Sequence, residues 1–430
     1  MKSSLVAGLL IGCLARTGSG QESRKPEGAG RARLREYLSI ALAQNPALTS
    51  MEARIDAARR RVEQSTALPD PEVELGIKDI PPFDPSLSRS DFTMEMVTAR
   101  QRFPGLGKRD ALRRAASEEV SDLVAQHERH VAMIGADVGD AFFQIAALDR
   151  RLEILRRTKA RLSDAATSAS ERYRVGKVSQ ADVLRANLET TGVEEQLLML
   201  DAERRAAAAR LNATMALSAS TPVAPIPAFD PAGVKPGIER LVDDALARSP
   251  SVASAEAQVR KAEVDLEQAR LERHPDLMLM AYYGHRTRFE DLAGASIAFN
   301  LPFTHPRRLD QKRAEMDAML TAARANLSST RNDLQAEIEA AQAELEKNLA
   351  QLRLHRGSIL PQAEINYRSA REAYTVGQID FLTFVKAATD LSMYESEEAI
   401  RAAGAGRAIA ALQKASGLRL LDSMAAEESR

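Results

Sequence analysis

The chain has 430 residues and a formal net charge of −1, so no excess of positive charge offers a face to nucleic acid. Aromatics reach only 4%, tryptophan is absent and charged residues make up 28%. That balance suits long Ala-, Arg-, Glu- and Leu-rich helices better than a compact α/β enzyme. The single cysteine leaves no internal disulfide and no paired-thiol chemistry.

Residues 1–20 read as an export signal, with Lys2 ahead of the apolar run Leu5–Ile11. Cys13 follows Leu10-Ile11-Gly12, which resembles the lipobox of bacterial lipoproteins. The resemblance implies cleavage before Cys13 and lipidation of its thiol. Leu14 is not Asp, which in such signals points to the outer membrane. The alternative is an ordinary secretory signal cut near Gly20, which discards Cys13. The uncharged apolar run Ser3–Ala15 is too short to span a bilayer as a helix, and no later apolar segment is expected to come closer. A membrane crossing is therefore left to strands.

The rest of the chain is one unit written twice with a period of about 200 residues. A first repeat covers 34–217, a Pro-rich connector 218–237, a second repeat 238–417, and a polar tail 418–430. Ala41-Leu42-Ala43-Gln44-Asn45-Pro46 returns as Ala245-Leu246-Ala247-Arg248-Ser249-Pro250, and Tyr173-Arg174-Val175-Gly176 as Tyr374-Thr375-Val376-Gly377. Each copy opens with a helix, over 34–66 and 238–272. Period-two stretches follow at 71–79 and 91–103, then at 276–286 and 293–303, each long enough for a tilted membrane strand. Val73, Leu75 and Ile77 alternate with Glu72, Glu74 and Lys78; Phe92, Met94 and Met96 set the apolar phase of the second stretch.

A long helix comes next. From Val120 to Tyr173 residues at 3-4 spacing are apolar for more than seven heptads, interrupted by His127 and Lys159. A sustained 3.5-residue period means a supercoiled seam, and Asp110–Tyr173 makes a rod on the order of 95 Å long. Leu334, Ile338, Ala341, Leu345 and Leu352 repeat the pattern more weakly in the second copy. The rods end in tips at 173–180 and 374–381. Gly176 and Gly377 suit a left-handed turn, Ser179 and Asp380 suit N-caps, and Asp182 suits the third helical position. Returning helices run over 180–217 and 381–416.

The signal, the duplication, two strands per copy and hairpins closing on Tyr-x-Val-Gly resemble the TolC-like outer-membrane efflux proteins. Leu68-Pro69-Asp70-Pro71 and Gln101-Arg102-Phe103-Pro104-Gly105-Leu106-Gly107-Lys108-Arg109 are similar to the branch serving cobalt-zinc-cadmium and copper-silver pumps. The resemblance implies a mainly α fold with a small β part. Long coiled-coil hairpins form a periplasmic α-barrel, and four strands from each chain of a homotrimer close a twelve-stranded outer-membrane β-barrel. It implies a periplasmic adaptor and an inner-membrane resistance-nodulation-division pump as partners. Val175, Gly176, Val376 and Gly377 become adaptor contacts. Tyr173, Asp182, Tyr374 and Asp380 become gate candidates, although Asp380 also suits a plain helix cap. In the same frame Val73, Leu75 and Ile77 face lipid while Glu72, Glu74 and Lys78 face the lumen.

No catalytic constellation, cofactor cradle or histidine ligand spacing is present, so the chain reads as a non-enzyme. Met94/Met96 and Met278/Met280 have a spacing usable by soft Cu(I), but read first as apolar strand faces with no metal site. Rival readings are a duct for drug efflux or type I secretion, which the fold accommodates equally, and a periplasmic coiled-coil structural or adaptor protein. The adaptor alternative lacks four amphipathic strands arranged as two symmetric pairs.

Overall fold

The computed structural model describes residues 26–80, 83, 86–87, 90–176, 178–227, 241–301 and 306–421. Cys13, the export signal, residues 228–237 of the connector and residues 422–430 lie outside these.

Two helices precede the first strands where the sequence suggested one. Helix α1 spans Pro26–Gln44 and α2 spans Pro46–Ser65. Between them Asn45 caps α2 through the Ala47 amide, and Pro46 takes the first turn, where its missing N–H costs nothing. The second copy repeats the break. Helix α5 (Leu241–Arg248) stops before Ser249, which caps α6 (Pro250–Leu271) through the Ser251 amide. The landmark that revealed the duplication is thus also a helix break.

The strands are β1 (Glu72–Lys78), β2 (Met94–Phe103), β3 (Leu277–His285) and β4 (Leu292–Phe299). They form one antiparallel sheet in the order β1-β2-β3-β4. Pairing of β2 with β3 joins the two copies, so the sheet belongs to neither repeat alone.

The helical body is built on α3 (Lys108–Arg174), a single rod of 67 residues, about 100 Å long. It packs on α4 (Gln180–Thr214) and on α9 (Phe381–Ser416), and its upper part on α2 and α6. Of the expected seam, Val131, Ile134, Val138, Ala141, Ile145, Leu148, Leu152, Leu155, Leu162 and Ala169 are buried. Val124 and Tyr173 are exposed instead. Around the middle of α3, Phe142 is buried off the seam against Tyr37 of α1, and Phe143 is buried over Gly406 of α9. This segment is long and apolar enough to cross a membrane, but 72% of it is buried inside the molecule, so its apolarity serves the core.

The second rod is α7 (Pro306–Leu354) and α8 (Leu360–Thr375), joined by a π-helical turn at His355–Ile359. Buried residues run 334, 338, 341, 345, 348, 352, and continuing that alternation reaches 362, one residue short of the next buried position. The observed series is Ala363, Tyr367, Ala370 and Tyr374. The π turn absorbs the extra residue and keeps one face on α9. It also leaves room for the ring of Pro361, which would clash with the carbonyl four residues back in an α-helix.

The polar tail starts later than Gly417. Leu421 is fully buried over Gly139, and its amide donates to Gln413 Oε1 at 2.9 Å. Gly417 in the left-handed conformation ends α9 and turns the chain back onto the body.

Candidate functional site: the sheet and the hairpin tips

Directly opposed residues of an antiparallel ladder lie on one face of the sheet. Val73, Leu75 and Ile77 therefore share a face with Val97, Ala99, Leu279, Ala281, Ile297 and Phe299. Large apolar side chains on this face are exposed, Leu75 by 75%. Gln101 lies within the band, and Glu95 and His285 stand at its loop end. The opposite face carries Glu72, Glu74, Lys78, Arg100 and Arg102, with Arg100 paired to Glu74 at 2.5 Å. Met94, Met96, Met278 and Met280 stand on this charged face as well. The phase expected for β2 is therefore inverted. Its apolar face is set by Val97, Ala99 and Phe103, and the methionines are not part of the aliphatic band. Strands β1 and β4 each have one unpaired edge among the described residues.

The sheet joins the helices at the motifs that looked distinctive in the sequence. Asp276 accepts from the Gly105 amide at 2.8 Å and from Lys108 Nζ at 2.7 Å. A side chain at Gly105 would meet the Pro275 carbonyl at 2.8 Å, so only glycine allows this approach. His274 Nδ1 lies 3.0 Å from the Leu106 carbonyl, and Arg109 donates to the Thr66 carbonyl. Partial burial disfavours the charge on Asp276, but the Lys108 and Gly105 hydrogen bonds outweigh it and hold the carboxyl below its ordinary range.

At the tips, Gly176 (φ 71°) and Gly377 (φ 80°) are left-handed and surrounded by open space. Val175 and Val376 are 67% and 70% exposed. Both acidic candidates are helix caps. Asp182 completes a capping box, accepting from the Ser179 amide at 3.0 Å while its own amide donates to Ser179 Oγ. Asp380 accepts from the Thr383 amide at 2.9 Å, and the Thr383 hydroxyl and amide hold its carboxyl below the usual range.

The two tyrosines part company. Tyr374 is 6% exposed, stacked on Phe384 at 5.2 Å and edge-on to Phe381 at 5.8 Å. Burial pushes its phenol pKa up. Tyr173 is 45% exposed, because the first tip has Gln180 and Val183 where the second has Phe381 and Phe384. Arg172, which the sequence reading passed over, ties the tips together. Its guanidinium lies 4.8 Å from the Tyr374 ring centroid and donates to the Tyr374 and Thr375 carbonyls at 2.9 and 2.7 Å. These carbonyls lie at the C-terminus of α8, a favourable place for a cation. Nothing but contact across the repeats could have revealed this role.

Among the described residues no cluster of three or more His, Cys, Asp or Glu could hold a metal ion. Residues 37–217 and 241–418 match the family model of outer membrane efflux proteins. The chain is 24% identical over 375 residues to the cobalt-zinc-cadmium resistance protein CzcC of Cupriavidus metallidurans, covering 84% of each. Its fold is similar to the outer membrane protein VceC of Vibrio cholerae, with TM-score 0.76 and 20% identity over 90% of this chain and 96% of that one. It is also similar to the open-state MtrE outer membrane channel of Neisseria gonorrhoeae, with TM-score 0.69 and 17% identity over 94% of both.

Proposed function

Given that the chain belongs to the outer membrane efflux protein family, whose members are the outer-membrane channels of tripartite efflux systems, we propose that it is the exit duct of a system exporting divalent heavy-metal cations. The carrying observation is the two-faced sheet with two open edges. At β1 the pleat sorts Val73, Leu75 and Ile77 onto an aliphatic face and Glu72, Glu74 and Lys78 onto a charged one. Unpaired strand edges cannot stand in lipid, so the edges of β1 and β4 need strands from further copies. Three chains closing a twelve-stranded barrel meet that need, with the aliphatic band on lipid and Glu72, Glu74 and Lys78 on the lumen.

The α-helical rods then continue the path through the periplasm. Val175, Gly176, Val376 and Gly377 form the surface for a periplasmic adaptor, which links the duct to a resistance-nodulation-division pump. Tyr173 is the gate candidate left open for contact. Asp182, Asp380 and Tyr374 serve mainly to hold the tips in shape. The duct itself does no chemistry and draws its driving force from the pump. Likeness to a cobalt-zinc-cadmium resistance protein supports the choice of cargo.

Deleting the gene should sensitise cells to cobalt, zinc and cadmium, and the protein should fractionate with outer membranes as a heat-modifiable trimer. A mature chain that is monomeric and soluble in the periplasm would remove the duct reading. Unchanged metal tolerance beside a normal trimer would remove only the cargo. Labelling with radioactive palmitate, compared with Cys13→Ala, tests lipidation at Cys13.

A further inference from the structure

Two arginines of α3 lie against tyrosines of α8, and only one of them is satisfied. Arg172 stacks on Tyr374 and donates to two carbonyls. Farther from the tips, Arg161 stands over Tyr367 in the same way, 4.9 Å from the ring centroid. Its guanidinium finds no such acceptors, and Nη1 is buried without a hydrogen-bond partner. Arg161 lines a cleft of about 400 Å³ between α3, α8 and α9. The carboxylates of that cleft are already engaged. Glu364 pairs with Arg368, Glu395 with Arg157 and Glu398 with Arg356, while Arg150 turns to Glu153. Among the described residues Arg161 and Arg371, which line the same cleft, pair with no carboxylate. Arg157 is held loosely, 3.5 Å from Glu395, and its Nε is buried without a partner. Buried donors without acceptors are costly, so the cleft is shaped for a group it does not itself supply.

We propose that this cleft binds a carboxylate, gripped by Arg161 over Tyr367 and by Arg371 of α8. The two oxygens of a carboxylate match two parallel N–H donors of one guanidinium, and the ring beneath keeps that fork flat. Three glutamates around the cleft oppose a more highly charged group such as phosphate. All these residues belong to one chain, so the site is complete without a second copy. Arg150 also lines the pocket under Val223, Pro225 and Ile226 of the connector, so both hollows open on one flank of α3. In the duct reading that flank is the outer wall, because α1 and the connector would obstruct the path. The inference rests on that reading only for the side from which the ligand arrives, the periplasm.

The test titrates the detergent-solubilised trimer by calorimetry with succinate and, separately, with a glutamate-rich peptide. Succinate should bind, and Arg161→Gln should weaken it by about tenfold or more, as for hydrogen bonds to a charged group. Arg161→Lys keeps the charge without the fork and should not restore the affinity. Arg371 is exposed, so Arg371→Gln keeps the test open if the Arg161 variants fail to assemble. Binding of the peptide alone supports a carboxylate carried on a partner protein; binding of succinate supports a free acid. A trimer that takes up neither probe overturns the inference and leaves the duct intact. So does binding that is unaltered in the glutamine variants or fully kept by Arg161→Lys. A chain that stays monomeric overturns the duct, and the same titration of that monomer still decides the cleft.

Discussion

Two tyrosines in the same motif have opposite environments, and their substitution should separate them. Tyr374 is enclosed by Phe381, Phe384 and Arg172. Tyr374→Ala should cost about 3 kcal/mol, as for other buried aromatics, and loosen the second tip. Tyr173→Ala removes an exposed ring and should change stability by no more than about 0.5 kcal/mol. Thermal unfolding of both variants checks the contrast, and equal losses would contradict the asymmetry. A growth assay on metal then reads the contact role of Tyr173 without a stability effect. Gly176 and Gly377 face open space, so a side chain there meets conformation rather than crowding. Gly176→Val or Gly377→Val should cost about 1–2 kcal/mol through the left-handed backbone. Either should impair efflux in a trimer that still assembles; full metal resistance in both variants would remove the tips from the docking surface.

At the scale of elements, the junction between sheet and helices hangs on one carboxylate. Asp276 has a lowered folded pKa, so its contribution is present above the unfolded carboxylate value and lost as pH falls through the folded one. Asp276→Asn should destabilise the protein by about 1.5–3 kcal/mol at pH 7, as for hydrogen bonds to a charged group. The gap from the natural protein should begin to shrink near about pH 4, the ordinary carboxyl value, and close only below the lowered folded one. Denaturant titrations at several pH values test this, and a gap that persists in acid would show that charge is not what matters. The second rod teaches a different lesson. Its seam is weaker in the sequence because, before Leu334, only Leu309 and Leu320 of α7 are buried, and because the phase slips by one residue at His355–Ile359. A periodicity search at constant period averages segments of different phase into one blurred signal.

For the whole molecule the decisive property is which face of the sheet meets lipid. Leu75 lies mid-strand on the aliphatic face and Gly76 beside it on the other, with open space where a side chain would go. Leu75→Arg should impair insertion by about 2–4 kcal/mol if it sits near the bilayer midplane. Gly76→Arg, facing water in the duct, should insert normally. Comparing the two in outer-membrane fractions checks the orientation; the reverse pattern would turn the barrel inside out. The connector adds a link at the same scale. Asp149 accepts from Arg204 and from the Ile226 amide, and Arg204 also donates to the Val223 carbonyl at 2.9 Å. The described part of the connector is thereby strapped to α3 and α4.

The sequence alone determined the duplication, the strands, the long rods and the glycine-centred tips, because each rests on local chemistry or on a period within one element. Asn45-Pro46 and Ser249-Pro250 were read as repeat landmarks, yet their local meaning as helix breaks was equally available. Only the tertiary structure decided the rest. The ladder register inverted β2 and moved four methionines from an assumed apolar band to the charged face. Neighbours on another helix buried Tyr374 and left Tyr173 exposed, and Arg172 found its partners about 200 residues away along the chain. Register and burial are set by which segments meet, and a period within one segment carries no record of its partners.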